Sequence, residues 1–343
     1  MDLRKRGFLV CAGALCALAL TLGATAPKPA SIALLRDAMD APAHISYIGE
    51  VQTMRIGKKQ SEAAVYRVYH RAPNLTRRWY LAPQDLYGDS IVSRGKTTYS
   101  VDIKRKRIVV TQDDASDDQV TEDDNFGLLA SNYRALAEPS ESIAGRRTDV
   151  IALVNNYTGQ TTMRVWIDDA TKLLLQKEQF APDGSLVTEM RYTAIHFTNS
   201  IPNQFFAIPS HLQSVKGPDP GEPSQDYTRI VKAAGFQARS PKYLPDGFFA
   251  VAGDVMDVHG IRTLHLLYSD GIRTVSLFEN ARGAAVDLSA YKATKITIEH
   301  HDAEYVVDGP TTLLTWSEQH LHFALVGELD RAELQRIAIS VVP

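Results

Sequence analysis

The chain has 343 residues, 44% hydrophobic and 22% charged, with 37 Lys and Arg against 40 Asp and Glu and a formal net charge of −3. Such a composition can bury a core and excludes a disordered or low-complexity chain, and the slight acidity argues against nucleic acid as a partner. Both cysteines, Cys11 and Cys16, lie near the start, so the rest of the chain has no disulfide, thiolate nucleophile or Cys-based zinc site.

Residues 1–26 read as a secretory signal. Arg4-Lys5-Arg6 is the positive start, Phe8 to Ala24 the apolar stretch, and Gly23-Ala24 and Ala24-Thr25-Ala26 the small residues of a cleavage site. The apolar stretch is also long enough for an uncleaved anchor. Lys5-Arg6-Gly7-Phe8-Leu9 departs from a twin-arginine signal by one Lys for Arg. Lipoprotein processing requires Leu three residues before the cysteine and a small residue just before it. Cys11 has Phe8 and Val10 there, and Cys16 has Gly13 and Leu15. Cleavage removes three positive charges and one negative, moving the net charge from −3 to −5.

The mature chain of about 317 residues exceeds the commonest domain size and suggests two domains. The first, residues 31–213, opens with apolar residues at helical spacing, Ile32, Leu35 and Met39. Strand patterns follow at Tyr47–Met54, Ala64–His70, Thr76–Leu81, Thr98–Ile103, Arg107–Thr111, Asp149–Val154, Met163–Ile167, Leu173–Phe180 and Leu186–Phe197. Turn signals such as Gly57-Lys58, Arg94-Gly95 and Asp183-Gly184 separate them. Consecutive strands with short turns make an antiparallel sheet. Met163, Val165 and Ile167 share one face of their strand, and Leu186, Thr188, Met190 and Tyr192 share one face of theirs.

Two charged runs interrupt this domain. Asp113 to Asp124 (DDASDDQVTEDD) lacks the Gly and the closing Glu of an EF-hand and reads as a solvated loop. Lys104-Arg-Lys-Arg107 reads as a charged hairpin tip, with anionic lipid head groups as the alternative.

Residues 214–226 hold three prolines and two glycines in a polar stretch and read as a linker. In the second domain, residues 227–343, Asp270-Gly271 separates the alternating runs Ile261–Tyr268 and Ile272–Phe278, a strong hairpin signal. His300-His301 precedes His320-Leu-His322, and three of these imidazoles would suit a zinc ion only if the two segments were neighbours. Polar positions on an exposed face are the plainer account, so no metal or cofactor is assigned. A Gly-x-Ser-x-Gly elbow, a His-Glu-x-x-His helix and a phosphate loop are all missing from the sequence, which therefore reads as that of a binder rather than an enzyme.

The order of Leu244-Pro-Asp-Gly-Phe248, Leu267-Tyr-Ser-Asp-Gly-Ile-Arg-Thr-Val-Ser-Leu-Phe278, Leu325-Val-Gly-Glu328 and Arg336-Ile-Ala338 resembles the C-terminal domain of the MucB/RseB family, export-side regulators of an extracytoplasmic sigma-factor pathway. Tyr47-Ile-Gly49, Gly145-Arg-Arg-Thr-Asp-Val-Ile151, Arg164-Val-Trp-Ile-Asp168, Thr171-Lys-Leu-Leu-Leu175, Asp183-Gly184 and Ile201–Phe206 follow the order of that family's N-terminal domain, itself similar to the lipoprotein carrier LolA. The resemblance implies a mainly β, α+β chain: an antiparallel half-barrel with short helices, then a smaller antiparallel sheet domain with one or two helices. It also implies a periplasmic regulator that binds the exported domain of a membrane-anchored anti-sigma factor and senses the acyl chains of a lipid, lipopolysaccharide or lipoprotein. A LolA-like carrier is the alternative, and homo-oligomerisation stays open. Met163, Val165, Ile167, Leu186 and Met190 are the expected acyl-chain contacts, because apolar side chains on every second residue of two strands can line a concave face.

The signal predicts that N-terminal sequencing of exported protein starts near residue 25 or 27. A native N-terminus retaining Arg4 to Arg6 would replace the cleaved signal with an anchor.

Overall fold

A computed structural model describes residues 28–29, 32–57, 61–112, 125–217, 224–258, 260–281, 286, 288, 291–308 and 311–341. The expected signal, the acidic run 113–124 and the centre of the expected linker lie outside these residues.

The first sheet contains β1 (Lys28–Pro29), β2 (Tyr47–Ile56), β3 (Ser61–Arg71), β4 (Leu75–Ala82), β5 (Ser90–Arg94), β6 (Thr97–Asp102), β7 (Arg107–Thr111), β8 (Tyr133–Ile143), β9 (Arg146–Asn155), β10 (Thr161–Asp168), β11 (Leu174–Phe180), β12 (Leu186–Phe197) and β13 (Gln213–Lys216). Their spatial order is β1-β8-β9-β10-β11-β12-β2-β3-β4-β5-β6-β7-β13. Every pairing is antiparallel except β7 with β13.

Helix α1 (Ile32–Asp40) lies against one face of this sheet and buries Leu35 and Ala38. Val51, Tyr66, Val68, Ile151, Leu153, Val165, Ile167 and Met190 join them in one core, so strands from β3 across to β9 converge on the same helix. Each fully buried Leu, Ile or Val here contributes roughly 1.5–3 kcal/mol by leaving water, and the core forms because the strands alternate apolar with polar residues.

The opposite face is covered by the segment after β12. Ile201, Phe205 and Phe206 pack on Ile48, Tyr69, Leu75 and Trp79, and Ile208 and Leu212 pack on Tyr99, Val101, Ile108 and Val110. The covering chain is not a ladder strand over its first part, so side chains satisfy its carbonyls. Arg71 donates to Ile201 O at 3.3 Å, Arg77 to Phe205 O at 3.1 Å and Arg94 to Phe206 O at 2.9 Å. Both faces of a sheet that reads as one-sided are thus occupied.

In this sheet, sequence periodicity misses β1, β5, β8 and β13. β8 is polar in its second half and carries Pro139 inside an irregularity between Glu138 and Glu141, where a missing N–H is tolerated. The expected linker begins in a strand, since Ser214, Val215 and Lys216 pair with Ile108, Val109 and Val110. Its far end is also engaged: Ser224 bridges Gly253 through two backbone hydrogen bonds, and the Asp226 side chain caps α3 (Tyr227–Ala234) by accepting from Arg229 N.

The second sheet contains β14 (Phe249–Val258), β15 (Ile261–Ser269), β16 (Thr274–Asn280), β17 (Thr294–Ile298), β18 (His301–Asp308), β19 (Thr311–Glu318) and β20 (Leu321–Gly327), in the order β14-β15-β16-β20-β19-β18-β17. Leu264, Leu266, Val275, Leu277, Leu314, Phe323 and Leu325 form its buried face under α3 and α4 (Arg331–Val341), which supplies Leu334, Ile337 and Ala338. The fold is mainly β, with a large N-terminal sheet, a smaller antiparallel C-terminal sheet and short helices, as the sequence suggests.

One carboxylate sits badly in this second core. Glu279 is fully buried; Oε2 accepts from Arg239 N at 2.9 Å, and Oε1 has no partner. Arg239 spends its charge on Glu318 at 2.5 Å. Burial therefore pushes the Glu279 carboxyl up to about 7, against the smaller pull of the Arg239 N–H and charge. A carboxyl raised by folding stabilises the fold fully below its unfolded value near 4.5, and that contribution is lost as pH rises through about 7. The melting temperature of the protein is expected to fall between pH 5 and pH 8, and Glu279→Gln should flatten that slope. An unchanged slope in the variant would assign the effect to another group.

Candidate functional site

The two sheets meet at a buried polar seam. The turn between β15 and β16 inserts Asp270-Gly271 against α2 (Phe126–Asn132) and the start of β8, and Ile272 packs on the N-terminal core. Asp270 is 1% exposed, and Tyr133 and Asn132 are each 2% exposed. Asp270 Oδ1 accepts from Ile272 N at 2.9 Å and Arg273 N at 2.7 Å, which closes the turn, while Oδ2 accepts from Tyr133 Oη at 2.6 Å. Asn132 Nδ2 donates to Asp270 O at 2.9 Å and to Gly247 O at 2.8 Å. Burial, then the Asp270 charge, hold the Tyr133 phenol well above its ordinary value, so it remains a donor.

Two glycines make this approach sterically feasible. Gly271 has φ +101°, and a Cβ there would stand 2.2 Å from Leu129 N. Gly247 has φ +86°, and its Cβ would stand 2.8 Å from a Tyr157 ring carbon. Only glycine suits both the left-handed backbone and the contact. The Leu244–Phe248 and Leu267–Phe278 motifs thus converge on the seam.

Other motif residues are structural as well. Arg146 donates to both carboxylate oxygens of Asp168, at 2.7 and 2.9 Å, tying the β8–β9 turn to the end of β10. Burial opposes ionisation of Asp168, yet the hydrogen bonds from Arg146 and Thr171 hold its carboxyl below the usual range.

Beside the seam the domains leave a cleft. One cavity of about 740 Å³ is bounded by residues including Thr53, Met54, Lys177, Thr188, Met190 and Glu328. A neighbouring cavity of about 640 Å³ includes Phe180, Leu186, Tyr305, Val307, Leu329 and Arg331. Gln179 and Glu328 border both. Burial pushes the Glu328 carboxyl up, opposed by the charges of Arg273, Lys177 and Arg55. The first cavity also carries Arg55, Glu62, Asp85 and Glu189 and is mainly polar, whereas the second is mainly apolar, so the cleft joins an apolar pocket to a charged one around Glu328.

The five expected contacts separate into two groups. Met163, Val165 and Ile167 are at most 1% exposed and are sealed in the core. Met190 belongs to that core and borders the first cavity, and half-buried Leu186 borders the second. β12 runs from the core at Tyr192 and Met190 through Thr188 to the cleft at Leu186, and a register shift between Thr188 and Leu186 interrupts the alternation that the sequence suggests. The core end was legible in the alternation; the cleft end is made by a second domain that periodicity along one strand cannot place.

The expected charged hairpin tip lies between β6 and β7, where Asp102 pairs with Arg105 at 3.0 Å and lies 3.8 Å from Arg107. The histidines are kept apart by topology. His301 is on β18 and His322 on β20, with β19 between them, and His322 bonds Ser317 Oγ at 2.7 Å. Among the described residues no three His, Cys, Asp or Glu side chains are grouped to hold a metal.

One constellation was invisible in the sequence. His265 Nε2 lies 2.9 Å from Ser276 Oγ, and Nδ1 lies 3.5 Å from Asp254 Oδ2, a Ser-His-Asp order across three neighbouring strands. Its setting does not suit acyl transfer. Ser276 is inside a strand paired on both sides, so its surrounding backbone N–H groups belong to the ladder rather than to an oxyanion hole, and Phe278 stacks on the imidazole at 4.5 Å.

The MucB/RseB N-terminal domain family matches residues 33–209, half of the chain, and the domain of unknown function DUF4367 matches residues 238–341. The chain belongs to the MucB/RseB family. It is 26% identical over 167 residues to the sigma-E factor regulatory protein RseB of Haemophilus influenzae, a match spanning 47% of this chain and 48% of that relative. It shares its fold with MucB in the Pseudomonas aeruginosa MucA/MucB complex, at TM-score 0.64 and 17% identity over 91% of this chain and 98% of that one. Its TM-score against MucB in another crystal structure is 0.52, at 16% identity over 90% and 96% of the two chains. No described helix is long and apolar enough to cross a membrane.

Gly271→Ala is expected to destabilise the protein by more than about 1 kcal/mol, because it forces both a disfavoured φ and a clash with the Leu129 backbone. Tyr133→Phe, which removes the hydroxyl that bonds Asp270 and Asn155, should cost about 1–3 kcal/mol. Chemical denaturation measures both, and wild-type stability in both variants would show that the seam does not hold the domains.

Proposed function

We propose that this protein is an exported, periplasmic regulatory binding protein that docks on the exported domain of a membrane-anchored anti-sigma factor and responds to a lipidic ligand. The observation that carries the proposal is family membership, joined to a fold shared along 91% of the chain with MucB, a protein crystallised with MucA. The relative in Haemophilus influenzae is a sigma-E factor regulatory protein, which supports the same reading. Acyl chains enter the interdomain cleft, with Leu186 and Met190 as the contacts within reach; Met163, Val165 and Ile167 form the wall behind them. Ligand binding releases the anti-sigma factor to the extent that the ligand prefers the released state.

The test joins partner capture to lipid titration. The mature protein should retain the exported domain of a membrane-anchored anti-sigma factor from its own organism, and a fluorescent fatty acid should compete in a titration. Leu186→Asp should weaken fatty-acid binding about tenfold or more while circular dichroism stays native, because a carboxylate against hydrocarbon is strongly disfavoured. Val165→Asp, at a sealed position, should unfold the domain instead. Native lipid binding by a folded Leu186→Asp protein would remove the cleft from the site, and failure to retain the exported domain would remove the regulatory reading.

A further inference from the structure

The outer face of the N-terminal sheet holds cationic charge that the fold does not neutralise. Arg71, Arg77 and Arg94 hold the carbonyls of Ile201, Phe205 and Phe206, and among the described residues none of the three forms an ion pair. A carbonyl carries only a partial charge, so these bonds orient the guanidinium groups without compensating them. Burial around Arg77 is deep enough to lower its affinity for its proton, and its Nε has no partner.

Two of these arginines border a cavity of about 530 Å³ with Asn74, Asn203, Leu75 and Phe206. Arg71 Nη1 is anchored to Asn203 Oδ1 at 2.7 Å, and the guanidinium lies over the Phe206 ring at 5.2 Å, so its direction is set by the fold. Arg94 is anchored through Nη2 alone, which leaves its other N–H groups available. The Asn74 amide has no hydrogen bond from its side chain, and its nitrogen lies beside Gly95. Asn203 uses its oxygen on Arg71, so its amide nitrogen remains a donor. The cavity wall is therefore rich in donors, carries two positive charges and contains no carboxylate.

We propose that this cavity is a binding site for a phosphate group, separate from the interdomain cleft. A phosphate oxyanion matches paired guanidinium groups by charge and by parallel N–H···O geometry. The volume admits the group with part of the molecule that carries it. The site is independent of the anti-sigma reading, since none of its residues borders the cleft.

The test uses the mature protein in phosphate-free buffer, titrated calorimetrically with inorganic phosphate and, separately, with phosphatidylcholine vesicles with and without phosphatidic acid. Asn74→Asp with Asn203→Asp places two carboxylates beside the guanidinium groups while keeping both arginines and their bonds to the chain. Charge-assisted bonds of this type correspond to about a tenfold or greater change in affinity. Binding of inorganic phosphate that the double variant loses supports a soluble phosphate ligand. Binding of phosphatidic acid vesicles alone, lost in the variant, supports a head group. Neither ligand binding the wild type, or the folded variant binding as tightly as the wild type, overturns the proposal. Asn74→Asp alone, which breaks no hydrogen bond, serves if the double variant does not fold.

Discussion

A single buried carboxylate, Asp270, organises the contact between the two sheets. It is fully enclosed and forms no ion pair among the described residues, an arrangement tolerated because two backbone N–H groups and the Tyr133 hydroxyl all donate to it. The backbone donors fix the turn between β15 and β16, and the tyrosine fixes that turn to the other domain. Asn132 extends the network to Gly247, so two separate loops of the C-terminal domain are held by adjacent residues of the N-terminal one. Removing one member strands the others in a low-dielectric seam, which is why such networks cost more to break than to form.

The seam also explains where the cleft lies. Docking at α2 and β8 brings β20 and its following turn over the ends of β11 and β12, so Glu328 faces Lys177 and Arg55 across a gap. The walls of that gap come from side chains that each domain leaves outside its own core. Leu186 is the clearest case, lying on the far side of the β12 register shift from buried Tyr192 and bordering the second cavity instead of the core under α1.

Local signals were readable wherever alternation is uninterrupted. Leu186–Phe197 and Arg107–Thr111 coincide with β12 and β7 at both ends, and the Asp270-Gly271 hairpin is present. The reading failed where polarity or length hides a strand, as in β5 and β8, and where a tertiary partner supplies the reason for extension, as β7 does for β13. The candidate site divides along the same line. Alternation identified the face bearing Met163, Val165, Ile167 and Met190, yet it could not reveal that α1 closes over most of it, because the same pattern describes a core and a cavity wall. Arg71, Arg77 and Arg94 carried no pattern at all; their association depends on the segment after β12 crossing the sheet's outer face.

The energetics of the seam constrain how a ligand in the cleft can act. Pulling the domains apart at Asp270 would leave several buried polar groups unpaired, at about 1–3 kcal/mol each. A ligand drives that motion only if its preference for the open state exceeds the sum, and moving a population from 1:99 to 99:1 requires a further difference of about 5.5 kcal/mol. Rearrangement across the cleft avoids that barrier. Among the described residues the Glu328 side chain makes no hydrogen bond, and it lies among Arg273, Lys177 and Arg55, so displacing it disturbs charges without unmaking the seam. A ligand of the proposed kind that inserts between these groups would alter the surface on both sides of the cleft while Asp270, Tyr133 and Asn132 keep the domains docked, so under that proposal the charged cluster around Glu328, rather than the seam, is where binding acts at the least cost.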